Sequence, residues 1–227
     1  MTPKIIAKKS LGQNFLVNQG VLARIIEAAD IGPEDTVLEI GPGTGALTQH
    51  LINTGAHIIA IEKDRRLIEP LRERFPTVEL IEGDALKTHP TSDVIVANIP
   101  YYLTSRLIRL ITEAWRPSRA ILMVQYEVAR RMMAKPPDMN LLALSVQLYA
   151  EPKLVMRVSR GSFRPVPEVD SAVVRLDMLP DVDGDLNKRI MALAKLAFAT
   201  KRKQLKFGPR PSARPQELSV EDWRKLA

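Results

Sequence analysis

The sequence has 227 residues, of which 45% are hydrophobic, with 33 Lys and Arg, 26 Asp and Glu, 3 His and no Cys. This length allows one sizeable core, and the lack of cysteine excludes a disulfide framework and a thiolate metal site. The histidines lack the spacing of metal ligands, so no metal site is expected. No apolar stretch is long enough to span a membrane and the start lacks a signal peptide's apolar run, which predicts a soluble cytoplasmic protein.

The positive charge is concentrated near the C-terminal end. Residues 187–227 contain 11 Lys and Arg against 3 Asp and Glu, a net charge of +8, whereas the remaining residues have a net charge of −1. Most charge runs are only solvated helix faces, but a neutral body with a strongly basic end favours binding to a polyanion such as nucleic acid. The residues predicted to contact it are Lys201, Arg202, Lys203, Lys206 and Arg210.

Short apolar segments alternate with helical patterns along the first two thirds of the chain. Strands are predicted, in chain order, at residues 36–40, 58–62, 78–82, 93–97 and 120–125. Residues 103–115 have apolar side chains at helical spacing and predict a helix between the last two strands. Short buried strands separated by helices indicate a parallel sheet that is covered on both faces.

The pattern changes after about residue 150. Residues 153–158 and 171–176 are predicted strands without a helix between them, so one of the two is expected to run antiparallel at or near the sheet edge. A linker is predicted over residues 179–185 and a helix over 186–205. The expected organisation is an α/β domain over residues 1–178, the linker over 179–185, and a small basic helical domain over 186–227.

A glycine-rich turn follows the first of these strands. In "EIGPGTGA", Gly41, Gly43 and Gly45 allow a tight turn and let backbone amides approach a ligand at the start of the next helix. The same letters also fit the dinucleotide-binding pattern. Glu62, at the end of the second strand, suits a pair of ribose hydroxyls in either case.

Polar residues also follow the third and fourth strands. Asp84 could accept a hydrogen bond from an adenine amino group, and Asn98 ends the fourth strand. Open α/β sheets bind ligands at these carboxyl ends. The E-x-G-x-G-x-G spelling with acidic residues after strands two and three resembles the S-adenosylmethionine-dependent methyltransferases. A dehydrogenase would need a second site for pyrophosphate and nicotinamide, and no motif suggests one.

The segment "NIPYY" begins at Asn98 and resembles the loop of methyltransferases that alkylate an exocyclic amino nitrogen of a base. The resemblance implies that the Asn98 side-chain oxygen and the Ile99 carbonyl hold the amino hydrogens so that the nitrogen lone pair is no longer conjugated with the ring. Catalysis then depends mainly on positioning and electrostatics. Pro100 then fixes the loop, and Tyr101 stacks on a base that has left its helix or loop stack.

Four segments in chain order, "KKSLGQNFLV", "NIPYY", "FRPVPEVDSAVVRL" and "PSARPQELSVEDW", resemble the small-subunit ribosomal RNA adenine dimethyltransferases. The resemblance implies a Rossmann-like class I methyltransferase with a mostly parallel seven-stranded sheet, one antiparallel strand and a small C-terminal helical domain. It implies that Phe163 lies across the target adenine from the tyrosine. It also implies S-adenosylmethionine as cofactor, held by Asn14, Leu16, Gly41, Gly43, Glu62, Asp84 and Asn98.

The family's product is a pair of adjacent N6,N6-dimethyladenosines in a hairpin loop near the 3′ end of 16S RNA. The expected partner is therefore 16S RNA in the small ribosomal subunit or its precursor. The enzyme is expected to be a monomer. One alternative is an erythromycin-resistance methylase of 23S RNA, which the ending "SARPQELSVEDW" disfavours. Another is a non-catalytic ribosome-assembly factor, which intact Asn98, Pro100, Tyr101 and Phe163 disfavour.

Overall fold

The computed structural model of the protein describes residues 7–8, 12–199 and 212–227. No helix in these ranges combines the length and the apolar character that crossing a membrane requires. The basic residues predicted to contact nucleic acid lie outside the described ranges, and so does the end of the helix predicted over residues 186–205. These basic residues are Lys201, Arg202, Lys203, Lys206 and Arg210.

Strands and helices alternate through the described chain. The strands are β1 (Phe15–Leu16), β2 (Thr36–Ile40), β3 (His57–Glu62), β4 (Glu79–Glu82), β5 (Val94–Asn98), β6 (Arg119–Gln125), β7 (Ala150–Val158), β8 (Phe163–Arg164) and β9 (Ser171–Met178). The helices are α1 (Gln19–Ala29), α2 (Ala46–Ile52), α3 (Arg65–Arg74), α4 (Thr104–Arg109), α5 (Tyr126–Met132), α6 (Leu141–Gln147), α7 (Gly184–Ala199) and α8 (Val220–Leu226). Single 3-10 turns occupy Tyr101–Leu103, Arg160–Ser162 and Pro215–Glu217.

Seven strands form one sheet in the order β4-β3-β2-β5-β6-β9-β7. The first five are parallel, and β9 runs antiparallel to both β6 and β7. The predicted mostly parallel seven-stranded sheet with an antiparallel strand is thus confirmed, and the antiparallel strand lies next to the edge. A separate antiparallel ladder joins β1 to β8, with Leu16 opposite Phe163. This ladder was not predicted.

Helices cover both faces of the sheet, which explains why its central strands are continuous apolar runs. Along β2, Val37 packs in the cluster that contains Leu22 of α1 and Leu51 of α2. Its neighbour Leu38 packs on the opposite face, in the cluster that contains Leu107 of α4. Successive residues of a strand face opposite sides of the sheet, so each face has a hydrophobic core of its own. The carboxyl edge of the sheet is left free for a site.

The helix predicted over residues 103–115 is present but changes type along its length. A 3-10 turn over Tyr101–Leu103 leads into α4, and a π-helical segment over Leu110–Trp115 completes it. Leu107, Ile108 and Ile111 are buried against the sheet. Because the helical segment starts immediately after Pro100, its buried face anchors the loop that precedes it.

The C-terminal helices pack around a core that they share with α6. Ile190, Phe198 and Trp223 belong to a cluster that also includes Leu144 of α6. The Asp183 carboxylate accepts hydrogen bonds from the amides of Asp185 and Leu186, so α7 begins at Gly184, two residues before the predicted start. The last residues of the predicted linker therefore belong to the helix. The cluster also draws on α6, so the division into two domains stays a prediction.

Candidate active site

A cleft at the carboxyl edge of the sheet contains most of the residues predicted from the sequence. It encloses about 960 Å³, part of which is open to solvent. The predicted site residues that line it are Asn14, Gly41, Gly43, Glu62, Asp84, Asn98, Ile99, Pro100, Tyr101 and Phe163. Leu16 lines an adjoining space of about 500 Å³, which shares Gly41, Gly43 and Asn98 with the cleft. Strand ends that are distant in the sequence thus meet at one place.

All three glycines of the turn after β2 have positive φ angles, but two of them, Gly41 and Gly45, differ in their surroundings. A Cβ atom on Gly41 would meet no atom within 4 Å, because this residue faces open space in the cleft. A Cβ atom on Gly45 would lie 2.3 Å from Cε2 of Phe75. Gly41 therefore leaves open space in the cleft, whereas Gly45 leaves room for the packing of Phe75.

Glu62 ends β3 and is 6% exposed. Its Oε2 accepts a hydrogen bond from the Gly43 amide at 3.1 Å, and its Oε1 accepts one from the Asp64 amide at 2.7 Å. Burial raises the pKa of the carboxyl, and these amide hydrogen bonds oppose that rise. A carboxylate has about four lone-pair sites, so the fixed Glu62 carboxylate can accept a further hydrogen bond from a ligand.

Asp84 follows β4 and is held from two sides. Its Oδ1 accepts from the Leu86 amide at 3.0 Å, and its Oδ2 accepts from Lys63 Nζ at 3.0 Å. Burial alone would raise the pKa of Asp84, but the hydrogen bonds and the Lys63 charge outweigh it and lower the pKa below its ordinary value. Asp84 is therefore an ionised acceptor at neutral pH.

Asn98 ends β5 and links the sheet to the N-terminal segment, residues 12–16. Its Nδ2 donates to the Asn14 carbonyl oxygen at 3.2 Å. This hydrogen bond fixes which end of the amide is the oxygen, and no described residue donates to that Oδ1 atom. The next residue, Ile99, is 2% exposed and its amide donates to the Met123 carbonyl. The carboxamide is thus held rigidly with its oxygen available.

Four aromatic residues line the cleft, namely Phe15, Tyr101, Tyr102 and Phe163. The Tyr101 hydroxyl lies 3.1 Å from Ser171 Oγ at the start of β9. Phe163, in β8, is only 1% exposed and packs in the core behind the N-terminal segment. Tyr102 is 60% exposed. Tyr101 and Phe163 line the same cleft, but the buried Phe163 offers it little surface.

Sequence reasoning missed the residues that fasten the N-terminal segment over the cleft. Asp64, just beyond Glu62, is buried, and its carboxylate accepts hydrogen bonds from Gln13 Nε2 at 2.9 Å and from Arg66 Nη2 at 2.6 Å. The Arg66 hydrogen bond holds the pKa of Asp64 far below its ordinary value. In the sequence, Asp64 lies between a strand and a helix, which indicates a helix cap. That position gives no indication that its carboxylate contacts Gln13.

A second buried carboxyl, Glu39, lies beneath the glycine turn. It is 2% exposed, and its Oε2 accepts a hydrogen bond from Thr48 Oγ1 at 2.7 Å. Burial raises the pKa of Glu39 to about 8, and the nearby charge of Glu62 adds to the rise. Glu39 is therefore mostly protonated at pH 7.

A sheet of this strand order, with a glycine turn after β2, carboxylates after β3 and β4 and an Asn-Ile-Pro-Tyr loop after β5, defines a Rossmann-like S-adenosylmethionine-dependent methyltransferase. The open space at Gly41 and the ionised acceptor Asp84 fit that cofactor. Residues 6–210 match the model of the family described as ribosomal RNA adenine dimethylase, and the chain belongs to this family.

Named relatives agree with this assignment. The chain is 42% identical to ribosomal RNA small subunit methyltransferase A of Dehalococcoides mccartyi, in an alignment that covers 97% of this chain and 87% of the relative. The crystal structure of a dimethyladenosine transferase from Plasmodium falciparum superposes with a TM-score of 0.85 at 32% identity, covering 93% of this chain and 95% of that one. The 23S rRNA methyltransferase ErmE superposes with a TM-score of 0.81 at 29% identity, covering 94% and 98%.

The two glycines provide a paired test of the cleft. Gly45→Ala should destabilise the protein by about 1–3 kcal/mol because its methyl group would overlap the Phe75 ring, in addition to about 1–2 kcal/mol for a side chain at positive φ. Gly41→Ala carries only the cost of a side chain at positive φ, about 1–2 kcal/mol, but its methyl group would occupy cleft space and weaken S-adenosylmethionine binding. Denaturant unfolding and calorimetric titration measure the two effects. If Gly41→Ala bound the cofactor as tightly as wild type, the ligand would not lie against this turn.

Proposed function

We propose that the protein transfers methyl groups from S-adenosylmethionine to N6 of two adjacent adenosines in a hairpin loop near the 3′ end of 16S RNA, giving N6,N6-dimethyladenosine. The observation that carries this proposal is the Asn98 carboxamide, fixed with a free oxygen in a cleft shared by Tyr101 and Phe163. The identity with a small-subunit methyltransferase over nearly the whole chain supports the choice of RNA. The protein is proposed to act as a monomer on small-subunit particles in the cytoplasm, and the monomer is supported by a cleft whose described lining comes from one chain.

The carboxylates at the strand ends are proposed to hold the cofactor. Glu62 would accept a hydrogen bond from the ribose hydroxyls beside those that it accepts from the backbone amides. Asp84 would accept from the adenine amino group. Gly41 and Gly43 leave room at the turn, and Asn14 and Leu16 close the cofactor site from the N-terminal segment. When bound, the cofactor supplies an electrophilic methyl group on a sulfonium centre.

Asn98 is proposed to prepare the attacking nitrogen. The lone pair of an adenine amino group is delocalised into the ring, so this nitrogen is a weak nucleophile. Asn98 Oδ1 and the Ile99 carbonyl oxygen would accept its two hydrogens and direct the lone pair towards the methyl group. These hydrogen bonds strengthen as positive charge develops on the nitrogen. The nitrogen also turns acidic at that stage, so no strong general base is needed.

The aromatic residues are proposed to receive the base after it leaves its stack. Tyr101 would stack on the adenine, with its ring held by the contact of its hydroxyl with Ser171. Phe163, which lines the same cleft, would bound the adenine site on another side. Pro100 precedes the helical segment of α4 and would keep the loop between Asn98 and Tyr101 in one conformation.

The organisation of the chain also stays part of the proposal. Residues 1–178 would form the methyltransferase domain, 179–185 the linker and 186–227 the small helical domain. The net charge of +8 over residues 187–227 supports RNA binding by the basic residues at its centre. These residues are Lys201, Arg202, Lys203, Lys206 and Arg210.

Mass spectrometry of ribosomal RNA tests the function directly. A strain that lacks the protein should lose both dimethyladenosines from its 16S RNA, and its 23S RNA should be unchanged. The wild-type gene should restore them, and the Asn98→Ala variant should not. Loss of an adenine modification from 23S RNA instead would show that the protein acts like ErmE, and loss from neither RNA would overturn the proposal.

A further inference from the structure

A cluster of charged and aromatic side chains lies at the start of β9, next to Ser171, whose hydroxyl contacts the cleft residue Tyr101. The Arg157 guanidinium donates to Asp170 Oδ2 from Nε at 3.1 Å and from Nη2 at 2.7 Å. It also lies over the ring of Tyr126, with Cζ 4.7 Å from the ring centroid. The Arg160 amide donates to Asp170 Oδ1 at 3.0 Å. We call Tyr126, Arg157, Arg160 and Asp170 the Arg157 cluster.

The Arg157 cluster is joined to the cleft from two sides. Asp170 precedes Ser171, whose hydroxyl contacts Tyr101, and Ser171 pairs with the last residues of β6 and β7 in the sheet. On the other side, the turn Arg160–Ser162 leads directly into Phe163. The cluster therefore lies at the rim beside both proposed base-contacting rings.

The cluster holds one arginine in place while leaving it accessible. The Arg157 side chain is 60% exposed, although Asp170 and Tyr126 fix two sides of its guanidinium. No described residue accepts a hydrogen bond from its Nη1 atom. The Arg160 side chain is exposed and forms no ion pair with any described residue, so the two arginines outweigh the single charge of Asp170.

An anchored guanidinium fork suits the oxygens of a phosphodiester better than a mobile lysine does, because less side-chain entropy is lost on binding. A base that enters the cleft between Tyr101 and Phe163 leaves its own backbone at the rim. Phosphate contacts of this kind fix the register of a nucleic acid on a protein without reading its sequence.

We propose that the Arg157 cluster binds the phosphodiester backbone next to the target adenosine, with Arg157 as the contact residue and Asp170 and Tyr126 as the residues that position it. This inference rests on the proposed action on ribosomal RNA and adds a contact outside the basic C-terminal residues. It also gives the RNA strand a fixed point beside the reacting base.

The test compares Arg157→Gln with Arg157→Lys and with a matched control, Lys153→Gln. Lys153 is on the same strand, its side chain is 52% exposed, and it is paired with Glu151 and Asp177 near the other end of β7. Methyl transfer to small-subunit particles from a strain lacking the protein is followed against salt concentration, and S-adenosylmethionine binding and thermal unfolding are measured in parallel.

Arg157→Gln should lower kcat/KM for particles by roughly ten-fold to a hundred-fold, the scale for losing a charge-assisted hydrogen bond. It should also reduce the log–log salt slope by about 0.7–0.9, the value for one phosphate contact. Arg157→Lys should keep the slope because it keeps the charge, and Lys153→Gln should match wild type. Cofactor affinity should be unchanged in all three variants.

Other outcomes separate this inference from the proposed function. If Arg157→Gln kept the wild-type salt slope while wild type modified the particles, the cluster would only brace the loop, and the proposed function would stand. An equal loss of kcat/KM in Arg157→Gln and Arg157→Lys without a change of slope would lead to the same conclusion. If wild type modified only large-subunit particles, the proposed function would be wrong. The salt slopes of Arg157→Gln and wild type on those particles would then show whether the Arg157 cluster binds phosphate.

Discussion

Replacing Asn98 by alanine is expected to lower the single-turnover rate of methyl transfer by about 10²–10³-fold, the range for removing one prearranged polar group that stabilises developing charge. The oxygen of this residue matters most as the attacking nitrogen becomes positive, so the loss should appear in the rate at saturating substrate. The variant also loses the hydrogen bond to the Asn14 carbonyl, which should weaken cofactor binding by about 1 kcal/mol. Rapid-quench measurements with saturating cofactor separate the two effects.

Two further variants separate the effect on the methyl-transfer rate from the effect on cofactor binding. Asn98→Asp keeps an acceptor oxygen but loses the donor to Asn14, so it should retain more of the rate than the alanine variant. Gln13→Ala releases the N-terminal segment from Asp64 without touching the loop, so it should raise the Kd for cofactor and leave the saturated rate nearly unchanged. A wild-type saturated rate in Asn98→Ala would show that the loop does not prepare the nucleophile.

The second large effect concerns stability. The pKa of Glu39 is about 8 in the folded protein, against an ordinary value of 4.5, so between these values the folded state holds a proton that the unfolded chain has released. The free energy of unfolding should therefore fall as pH rises through this window, by up to about 1.4 kcal/mol per pH unit. Glu39→Gln can still accept the Thr48 hydrogen bond and carries no charge, so this part of the pH dependence should disappear.

Urea unfolding of both proteins between pH 5 and pH 9 measures this difference. The advantage of Glu39→Gln over wild type should grow from near zero at the acidic end and level off above about pH 8. Glu34→Gln removes an exposed carboxyl from the loop before β2 and serves as the control. Parallel curves for wild type and Glu39→Gln would mean that Glu39 does not hold a proton in the folded protein.

The sequence predicted the strands of the main sheet because their side chains are buried on both faces and leave continuous apolar runs. The predicted strand over 36–40 coincides with β2. The errors lie at strand ends, which depend on the partner strand. β7 begins at Ala150, before the predicted residue 153, because Ala150 still pairs with Met178 of β9.

The parts of the site that could not be predicted are contacts between distant residues. Nothing near Gln13 in the sequence indicates that its amide reaches Asp64. The motif around Phe163 could be recognised, but its burial follows from the ladder with β1 and from packing against α1, which local patterns do not show. The sequence was sufficient to place the strand ends on a common edge of the sheet. It was not sufficient to place the N-terminal segment that covers this edge.

The ladder between β1 and β8 also has a consequence for synthesis of the protein. A ribosome makes the N-terminal segment early, yet its ladder partner, which starts at Phe163, emerges only after the first six strands of the sheet. Contacts between such distant residues form slowly, since a long loop must close first. The nascent chain can therefore build most of its parallel sheet while still attached, but it cannot complete the cofactor cleft until β8 has left the exit tunnel.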